Sequence, residues 1–319
     1  MPRKELGLVA RDLGFYLTGR CDCTAADWTA ENWLYPLDWG YQLDRPDQYF
    51  APFDENGIPL REIPGAIPLT YLPSRIAAYG LANWNRAKCD TTAQHRFLAC
   101  ANWFASQQEC AFRHDFPLVA MPPGWLSCIA QGEGISVLVR AQRMTGAQQY
   151  ADCANAAADW LDRSVAEGGL LDLLPDGLPF LEEYPRSQYR HVLNGCLYAL
   201  VGLSDLVRSG FSQTARPEKL LNAVMDAVEI HIDRWDLSGW TTYDYQFESG
   251  QTAGQPANPN TLTYQTLHWI LLDYLGQVHN RSALVARAAN WRNASASLLA
   301  RAIALANKVR FRLHHGYRH

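Results

Sequence analysis

Apolar residues recur at helical spacing from Tyr71 onward, in segments that come in pairs. The links within a pair are short, whereas the links between pairs are long and carry Pro, Gly and polar residues. The predicted pairs are 72–86 with 91–109, 125–145 with 147–165, 188–209 with 216–235, and 260–279 with 282–310. The pattern predicts a mainly α protein of about four helical hairpins with functional loops at one end. An α/α barrel and a helical repeat array both fit this pattern.

The first 68 residues have a different pattern. They are rich in Trp, Tyr, Pro, Asp and Gly, and the segment Asp54–Gly57 is a turn signal between short apolar runs. We therefore expect residues 1–68 to form an extended arm with short β elements, and residues 69–319 to form the helical domain.

Composition narrows the class of protein. A chain of 319 residues with 48% hydrophobic residues can bury a sizeable core, as one large domain or two small ones. The 11 Trp and 15 Tyr residues supply flat amphipathic rings, which suit sugar faces but also fill large helical cores. The net charge of −4 argues against a nucleic-acid-binding protein.

The cysteines and the N-terminus bear on location. The eight cysteines are scattered, and the pair Cys21 and Cys23 has no second cluster at zinc-like spacing, so we predict no metal site. The apolar stretch Leu6–Ala10 is too short for a secretory signal, and no apolar run of about 20 residues exists. We expect a cytoplasmic protein with reduced thiols and no integral membrane segment.

The segment Leu181–Pro185 sets two carboxylates and a phenol, Glu182, Glu183 and Tyr184, just before an apolar helix. Pro185 fixes a backbone angle, so we expect an ordered loop at the rim of the helical core. Such a cluster can move protons. The alternative interpretation is a surface turn, in which Glu183 faces a helix N-terminus and Tyr184 fills a gap.

Several sequence blocks together suggest a family. They are Ser127–Ala141, Leu181–Pro185 and Val192–Gly195 in this order, with Ile76–Leu81 earlier and Trp240–Asp244, Tyr264 and His268 later. With these blocks, most of the chain resembles the C-terminal domain of the D-glucuronyl C5-epimerases. The resemblance implies an α/α barrel and no cofactor. It also implies a homodimer, for which the 1–68 arm is a candidate contact.

The resemblance implies an epimerase that removes the C5 hydrogen of a D-glucuronate residue and returns a proton to the opposite face, giving L-iduronate. Two opposed proton-transfer groups are needed, together with donors for the charge that develops on the carboxylate. The catalytic residues implied by the matching positions are Glu183, Tyr184, Tyr243 and Tyr264. The substrate implied is an anionic glucuronate-containing polysaccharide or lipid-linked glycan.

The substrate-binding residues are less directly implied. Gln246 stands where family members carry an arginine, so we expect Arg186 or Arg190 to bind the substrate carboxylate instead. The other candidates are Gln131, Asn194, His268 and Tyr79. On the helix of Gln131, we expect Ser136 and Arg140 to form helix–helix hydrogen bonds.

Two other classes of function fit the sequence. A lyase or glycosidase on an α/α scaffold would also act on uronates, and abstraction at C5 followed by loss of the C4 substituent is elimination. A glycosidase needs two carboxylates about 5–9.5 Å apart, whereas Glu182 and Glu183 are neighbours that would point apart. A non-catalytic polysaccharide-binding protein is the remaining alternative.

Overall fold

The computed structural model describes residues 3–63, 67–118, 121–185, 191–211, 214–246 and 257–315. The helices are α1 (Arg3–Thr18), α2 (Gly40–Leu43), α3 (Pro46–Tyr49), α4 (Pro73–Arg86), α5 (Thr91–Ala105), α6 (Cys128–Thr145), α7 (Gln148–Asp162), α8 (Leu193–Arg208), α9 (Ala215–His231), α10 (Leu262–Val278), α11 (Ser282–Ala296) and α12 (Leu298–His315). The strands form two-stranded pairs: β1 (Thr24–Ala25) with β2 (Leu37–Asp38), β3 (Leu60–Ile63) with β4 (Ile67–Tyr71), β5 (Leu171–Leu173) with β6 (Pro179–Leu181), and β7 (Asp236–Leu237) with β8 (Trp240–Thr241). The predicted mainly α class is confirmed.

The chain divides into two compact units, residues 25–228 and residues 1–24 with 229–319. In the first unit, α6 packs against α4, α5, α7 and α8. The contact with α8 is close because Gly202 lies against the backbone of α6, where an added Cβ atom would be 2.2 Å from the carbonyl oxygen of Gly132. The predicted domain division at residue 68 stays a prediction.

A buried ion pair joins α6 to α8. Nη1 of Arg140 lies 2.5 Å from Oδ2 of Asp205, and the hydroxyl of Ser136 donates to the same oxygen at 2.7 Å. All three side chains are fully buried. The helix–helix hydrogen bonding predicted for Ser136 and Arg140 is therefore confirmed, and it fixes the register of the two helices.

The predicted N-terminal arm is partly wrong. Its turn and hairpin are present, since Oδ1 of Asp54 accepts from the amides of Asn56 and Ile58, and β3 pairs antiparallel with β4. However, Arg3–Thr18 is a helix, because it can bury Tyr16 against Trp240, Leu262 and Ala304 in a core of the second unit.

The predicted single helix 282–310 is also wrong, because it is broken at Ser297. The backbone there is extended, and the amide of Ser297 closes α11 by donating to the carbonyls of Asn293 and Ala294. The hydroxyl of Ser297 then accepts from the amide of Ala300 at 3.3 Å, as an N-cap of α12. One serine thus ends one helix and begins the next.

The prediction that all thiols are reduced is wrong for two of them. Cys110 and Cys153 form a disulfide, because the turn Gln108–Cys110 packs against α7 and brings their Cα atoms to 5.5 Å. In the part of the chain described, no helix combines the length and the apolarity that a membrane crossing requires.

Candidate active site

The Glu-Glu-Tyr-Pro loop lies between β6 and α8, and hydrogen bonds hold its backbone on both sides. The amide of Glu182 donates to the carbonyl of Leu170 at 2.9 Å, and its carbonyl accepts from the amide of Cys128, the first residue of α6, at 3.2 Å. The loop is thereby fixed to the β5–β6 hairpin and to α6. The side chains of Glu182, Glu183 and Tyr184 therefore extend from a backbone that hydrogen bonds hold in place.

The carboxylate of Glu182 is engaged by His191. Oε1 of Glu182 lies 2.6 Å from Nδ1 of His191, and both carboxylate oxygens accept from the His191 amide at 3.2–3.3 Å. Both side chains are buried, and His191 has a left-handed backbone with φ of 55°. Sequence reasoning does not predict this pairing. Because His191 occupies the carboxylate of Glu182, Glu183 is the better candidate of the two for proton transfer.

Glu183 is the central titratable group of the loop. Its side chain is only 5% exposed, and Nδ2 of Asn194 donates to its Oε2 at 3.0 Å. Burial raises the pKa of Glu183 to about 7, although hydrogen bonds from the side chains of Tyr184 and Asn194 oppose the rise. At neutral pH this carboxyl group can therefore both accept and release a proton.

Gly195 makes the position of Glu183 possible. A Cβ atom at Gly195 would lie 2.6 Å from Cβ of Glu183 and 3.0 Å from Sγ of Cys128. Only a residue without a side chain allows Glu183 to lie this close to the first turn of α8. The sequence block Val192–Gly195 thus supplies both the amide that binds Glu183 and the space that it occupies.

Tyr184 is half-buried beside a stack of aromatic rings. Its ring centroid lies 6.1 Å from that of Trp125, which stacks on His114 at 3.9 Å with an interplanar angle of 10°. Burial lowers the pKa of His114 to about 4, so this imidazole is neutral at pH 7. Trp125 and His114 therefore form an uncharged surface next to Tyr184, and no sequence motif predicts this contact.

Tyr243 and Tyr264 lie together in the second unit. Their ring centroids are 6.1 Å apart, with an interplanar angle of 87°. The amide of Tyr243 donates to the carbonyl of Asn258 at 2.9 Å, and Tyr264 lies in the first turn of α10, capped by Thr261. Tyr264 is 37% exposed. These two phenols are adjacent and accessible.

His268 lies one turn after Tyr264 and is fully buried. Its Nδ1 is 3.4 Å from Nδ2 of Asn260, and its ring centroid is 6.2 Å from that of Trp291. Burial lowers the pKa of His268 to about 3, so the ring is neutral near pH 7. It contributes polarity rather than positive charge to this region.

Lys308 on α12 provides an amine near Tyr243. Its Nζ donates to Oδ1 of Asn258 at 2.7 Å, and the carbonyl of Asn258 accepts from the Tyr243 amide. Burial lowers the pKa of Lys308 to about 8, with Arg312 acting in the same direction and Asp244 opposing it. Nothing about its position among the basic residues near the C-terminus predicts this contact.

The other predicted substrate-binding residues have different positions. Gln131 is fully buried, and its side-chain amide forms hydrogen bonds with backbone groups: Oε1 accepts from the amide of Phe112, and Nε2 donates to the carbonyls of Cys110 and Ala157. The prediction that Gln131 faces a sugar groove is therefore wrong, because α6 turns this residue toward α7 and the disulfide.

Tyr79 lines a pocket of about 420 Å³ together with Phe53 and Arg96. A different pocket lies beside the Glu-Glu-Tyr-Pro loop and is lined in part by Pro185, and the described lining residues of the two pockets do not overlap. Arg186 and Arg190 lie outside the described residues. Within the described ranges, His, Cys, Asp and Glu side chains form no group of three or more that could hold a metal ion.

Two curated proteins are similar to part of this chain. A D-glucuronyl C5-epimerase of Caenorhabditis elegans is 27% identical over 215 residues, covering 62% of this chain and 34% of that protein. The uncharacterized protein MJ1128 of Methanocaldococcus jannaschii is 24% identical over 136 residues, covering 42% of this chain and 44% of that protein. The chain thus spans less than half the length of these relatives.

A glycosyl hydrolase of family 88 from Bacteroides vulgatus has a TM-score of 0.49 and 14% identity, covering 79% of this chain and 70% of that one. That likeness is too low to support an argument. The D-glucuronyl C5-epimerase C-terminus family matches residues 104–293, which is more than half of the chain. This span contains Glu183, Tyr184, Tyr243 and Tyr264. The chain belongs to the D-glucuronyl C5-epimerase C-terminus family.

Proposed function

We propose that this protein inverts C5 of D-glucuronate residues to L-iduronate in a polysaccharide or glycan. Family membership supports a carbohydrate epimerase role in general. The observation that carries the specific proposal is Glu183, a buried carboxyl group with a pKa of about 7 beside the phenol of Tyr184. A general base works best when its pKa is near the working pH.

The proposed reaction breaks the C5–H bond, and its electron pair moves into the adjacent carboxylate to give an enolate. The Glu183–Tyr184 pair serves one face of the sugar and accepts the proton. Tyr264 serves the opposite face and donates a proton to C5, while Tyr243 orients the ring. Protons then exchange with water, which restores both groups and balances the cycle.

The enolate carries two negative charges and needs donors close to the carboxylate oxygens. In this proposal Lys308 supplies a cation on the Tyr243 side, and Asn194 holds Glu183 in place. Arg186 and Arg190 stay predicted carboxylate ligands from their positions beside Tyr184 in the sequence. No step requires a cofactor.

The substrate class, an anionic glucuronate-containing polysaccharide such as heparosan or a lipid-linked glycan, is part of the proposal, as is a homodimer. A glycosidase is less well supported, because the carboxylate of Glu182 is engaged by His191. A lyase or a non-catalytic binding protein is separated from an epimerase by its products.

The test is incubation with heparosan and a panel of other glucuronate polymers in D2O, followed by NMR and by ultraviolet absorbance. We expect deuterium at C5 and iduronate signals in chains of unchanged length. An unsaturated product that absorbs in the ultraviolet would establish a lyase instead. Binding without exchange would establish a binding protein. Tyr264→Phe should abolish exchange and keep binding.

A further inference from the structure

A second pocket, of about 180 Å³, opens beside the Glu-Glu-Tyr-Pro loop. Pro185, the residue after Tyr184, forms part of its lining. Its lining also includes Arg113, Trp125, Val165, Gly168 and Gly169. Trp125 also contacts the ring of Tyr184, at 6.1 Å between centroids, so one indole borders both the pocket and the proposed catalytic phenol.

Arg113 gives the pocket a fixed positive charge. Its guanidinium lies 5.0 Å from the centroid of Trp160, and Nη1 donates to the carbonyl of Gly124 at 2.9 Å. A guanidinium has five N–H donors, so these contacts hold its position and leave donors for a ligand. Its side chain is exposed, and an anion can therefore reach it.

A second guanidinium, that of Arg163, also lies against the indole of Trp160. The guanidinium of Arg163 is 4.0 Å from the centroid of Trp160. Gly169 allows the pocket wall to come close to this residue, because a Cβ atom there would lie 2.2 Å from the Arg163 carbonyl oxygen. Among the described residues that line the pocket, none is an acid. The adjacent Glu167 accepts a hydrogen bond from the hydroxyl of Ser164 at 2.7 Å.

We infer that this pocket is an anion subsite for the carboxylate of a neighbouring uronate in the same polymer, one that is not itself undergoing inversion. Arg113 binds that carboxylate, and Trp125 carries the intervening sugar toward Tyr184. The inference rests on the proposed function for its substrate. It adds a recognition site that makes the protein selective for chains with more than one uronate.

The test compares two heparosan oligosaccharides, a short one with a single internal glucuronate and a longer one with several. Exchange at C5 in D2O gives kcat and KM for each, and calorimetry gives the affinity. We expect Arg113→Gln to raise KM for the long oligosaccharide roughly tenfold while kcat changes little, since one charge-assisted contact is lost. Arg113→Lys should recover part of the loss. The exposed residue Lys219 on α9 supplies the control, Lys219→Ala.

The outcomes separate this inference from the proposed function. If wild type exchanges but Arg113→Gln changes KM equally for both oligosaccharides, or no more than Lys219→Ala, the subsite is wrong and the epimerase stands. If wild type binds heparosan without exchange and Arg113→Gln alone weakens binding, the subsite stands and the epimerase is wrong. Thermal unfolding of each variant confirms that losses come from the site and not from misfolding.

Discussion

The two regions that carry the proposed proton-transfer groups differ in burial and in charge. Around Glu183 the structure places carboxylates in a tight environment, with the Glu183 side chain 5% exposed and pressed against Gly195. Around Tyr264, which is 37% exposed, it places phenols, a neutral imidazole and the amine of Lys308. One region is acidic and closed, and the other is phenolic and accessible.

Burial nevertheless acts on both regions in the same way. It disfavours the charged form of each group, and so raises the pKa of Glu183 to about 7 and lowers that of Lys308 to about 8. The pKa of the acidic group and the pKa of the basic group are thus both shifted toward neutrality. The proposed mechanism uses the two groups differently, because Glu183 accepts a proton and Lys308 supplies a positive charge.

The largest effect that tests this comparison is on turnover. Glu183→Gln removes the titratable group of the closed region, and we expect kcat to fall by about 10²–10⁴. Tyr264→Phe should do the same in the accessible region. Tyr245→Phe is the matched control, because Tyr245 is a buried tyrosine whose hydroxyl lies 3.1 Å from Nδ1 of His231. C5 deuterium exchange measures all three. Full activity in Glu183→Gln would remove the carboxyl group from the mechanism.

A second test uses the pH dependence of stability. The folded-state pKa of Glu183 is raised, so its contribution to stability is fully present below pH 4.5 and is lost as the pH rises through about 7. From pH 4 to pH 8.5, Glu183→Gln should therefore gain about 3 kcal/mol of unfolding free energy relative to wild type.

Urea unfolding at the two pH values measures this gain. Glu167→Gln is a control of opposite sign, because a hydrogen bond from Ser164 lowers the pKa of that exposed group. Parallel curves for wild type and Glu183→Gln would show that Glu183 titrates as it does in water.

Gly195→Ala tests the close packing of the carboxylate region. The added methyl group would overlap Cβ of Glu183, so we expect a loss of about 1–3 kcal/mol in unfolding free energy, together with lower exchange activity. Gly14→Ala in α1 is the control, since nothing lies within 4 Å of the new atom there and a gain of up to about 1 kcal/mol is expected. Equal stability of the two variants would contradict the contact.

The smallest effect concerns the amine of the phenolic region. If Lys308 acts as a cation, activity should fall as the pH rises through about 8. Lys308→Arg keeps its charge and should move this alkaline limb upward, whereas Lys308→Met should lower kcat/KM roughly tenfold at pH 7. An unchanged pH profile in Lys308→Arg would show that Lys308 is only structural.

Sequence reasoning predicted the features that depend on local pattern. Apolar periodicity predicts the helical segments from α4 to α10, although not α1 or the break between α11 and α12, and Asp54–Gly57 is a turn as predicted. It could not orient α6, because nearly every residue from Cys128 to Ala141 is buried, including the polar residues Gln131, Glu133, Ser136 and Arg140, so a polar side chain does not mark an exposed face. Gln131 was therefore assigned to the wrong side. For the same reason its contacts with the backbone of other elements were not predicted.

The missed residues depend on contacts that sequence spacing does not encode. His191 reaches Glu182 across nine positions and a left-handed backbone, and Lys308 reaches Asn258 across 50. Cys153 meets Cys110 at a separation of 43. The break at Ser297 was missed because serine is tolerated within a helix, and only tertiary packing decides whether it becomes a cap.

The helix α1 has a consequence for how the protein is made. The carbonyl of Tyr16 accepts from Nε of Arg301 at 2.7 Å, across 285 positions of sequence. The ribosome must therefore synthesise α12 before α1 can complete its contacts, while residues 25–228 are already available to fold. The unit that holds Tyr243 and Tyr264 is thus completed last, and its phenols are assembled only when the buried carboxylate region can already be in place.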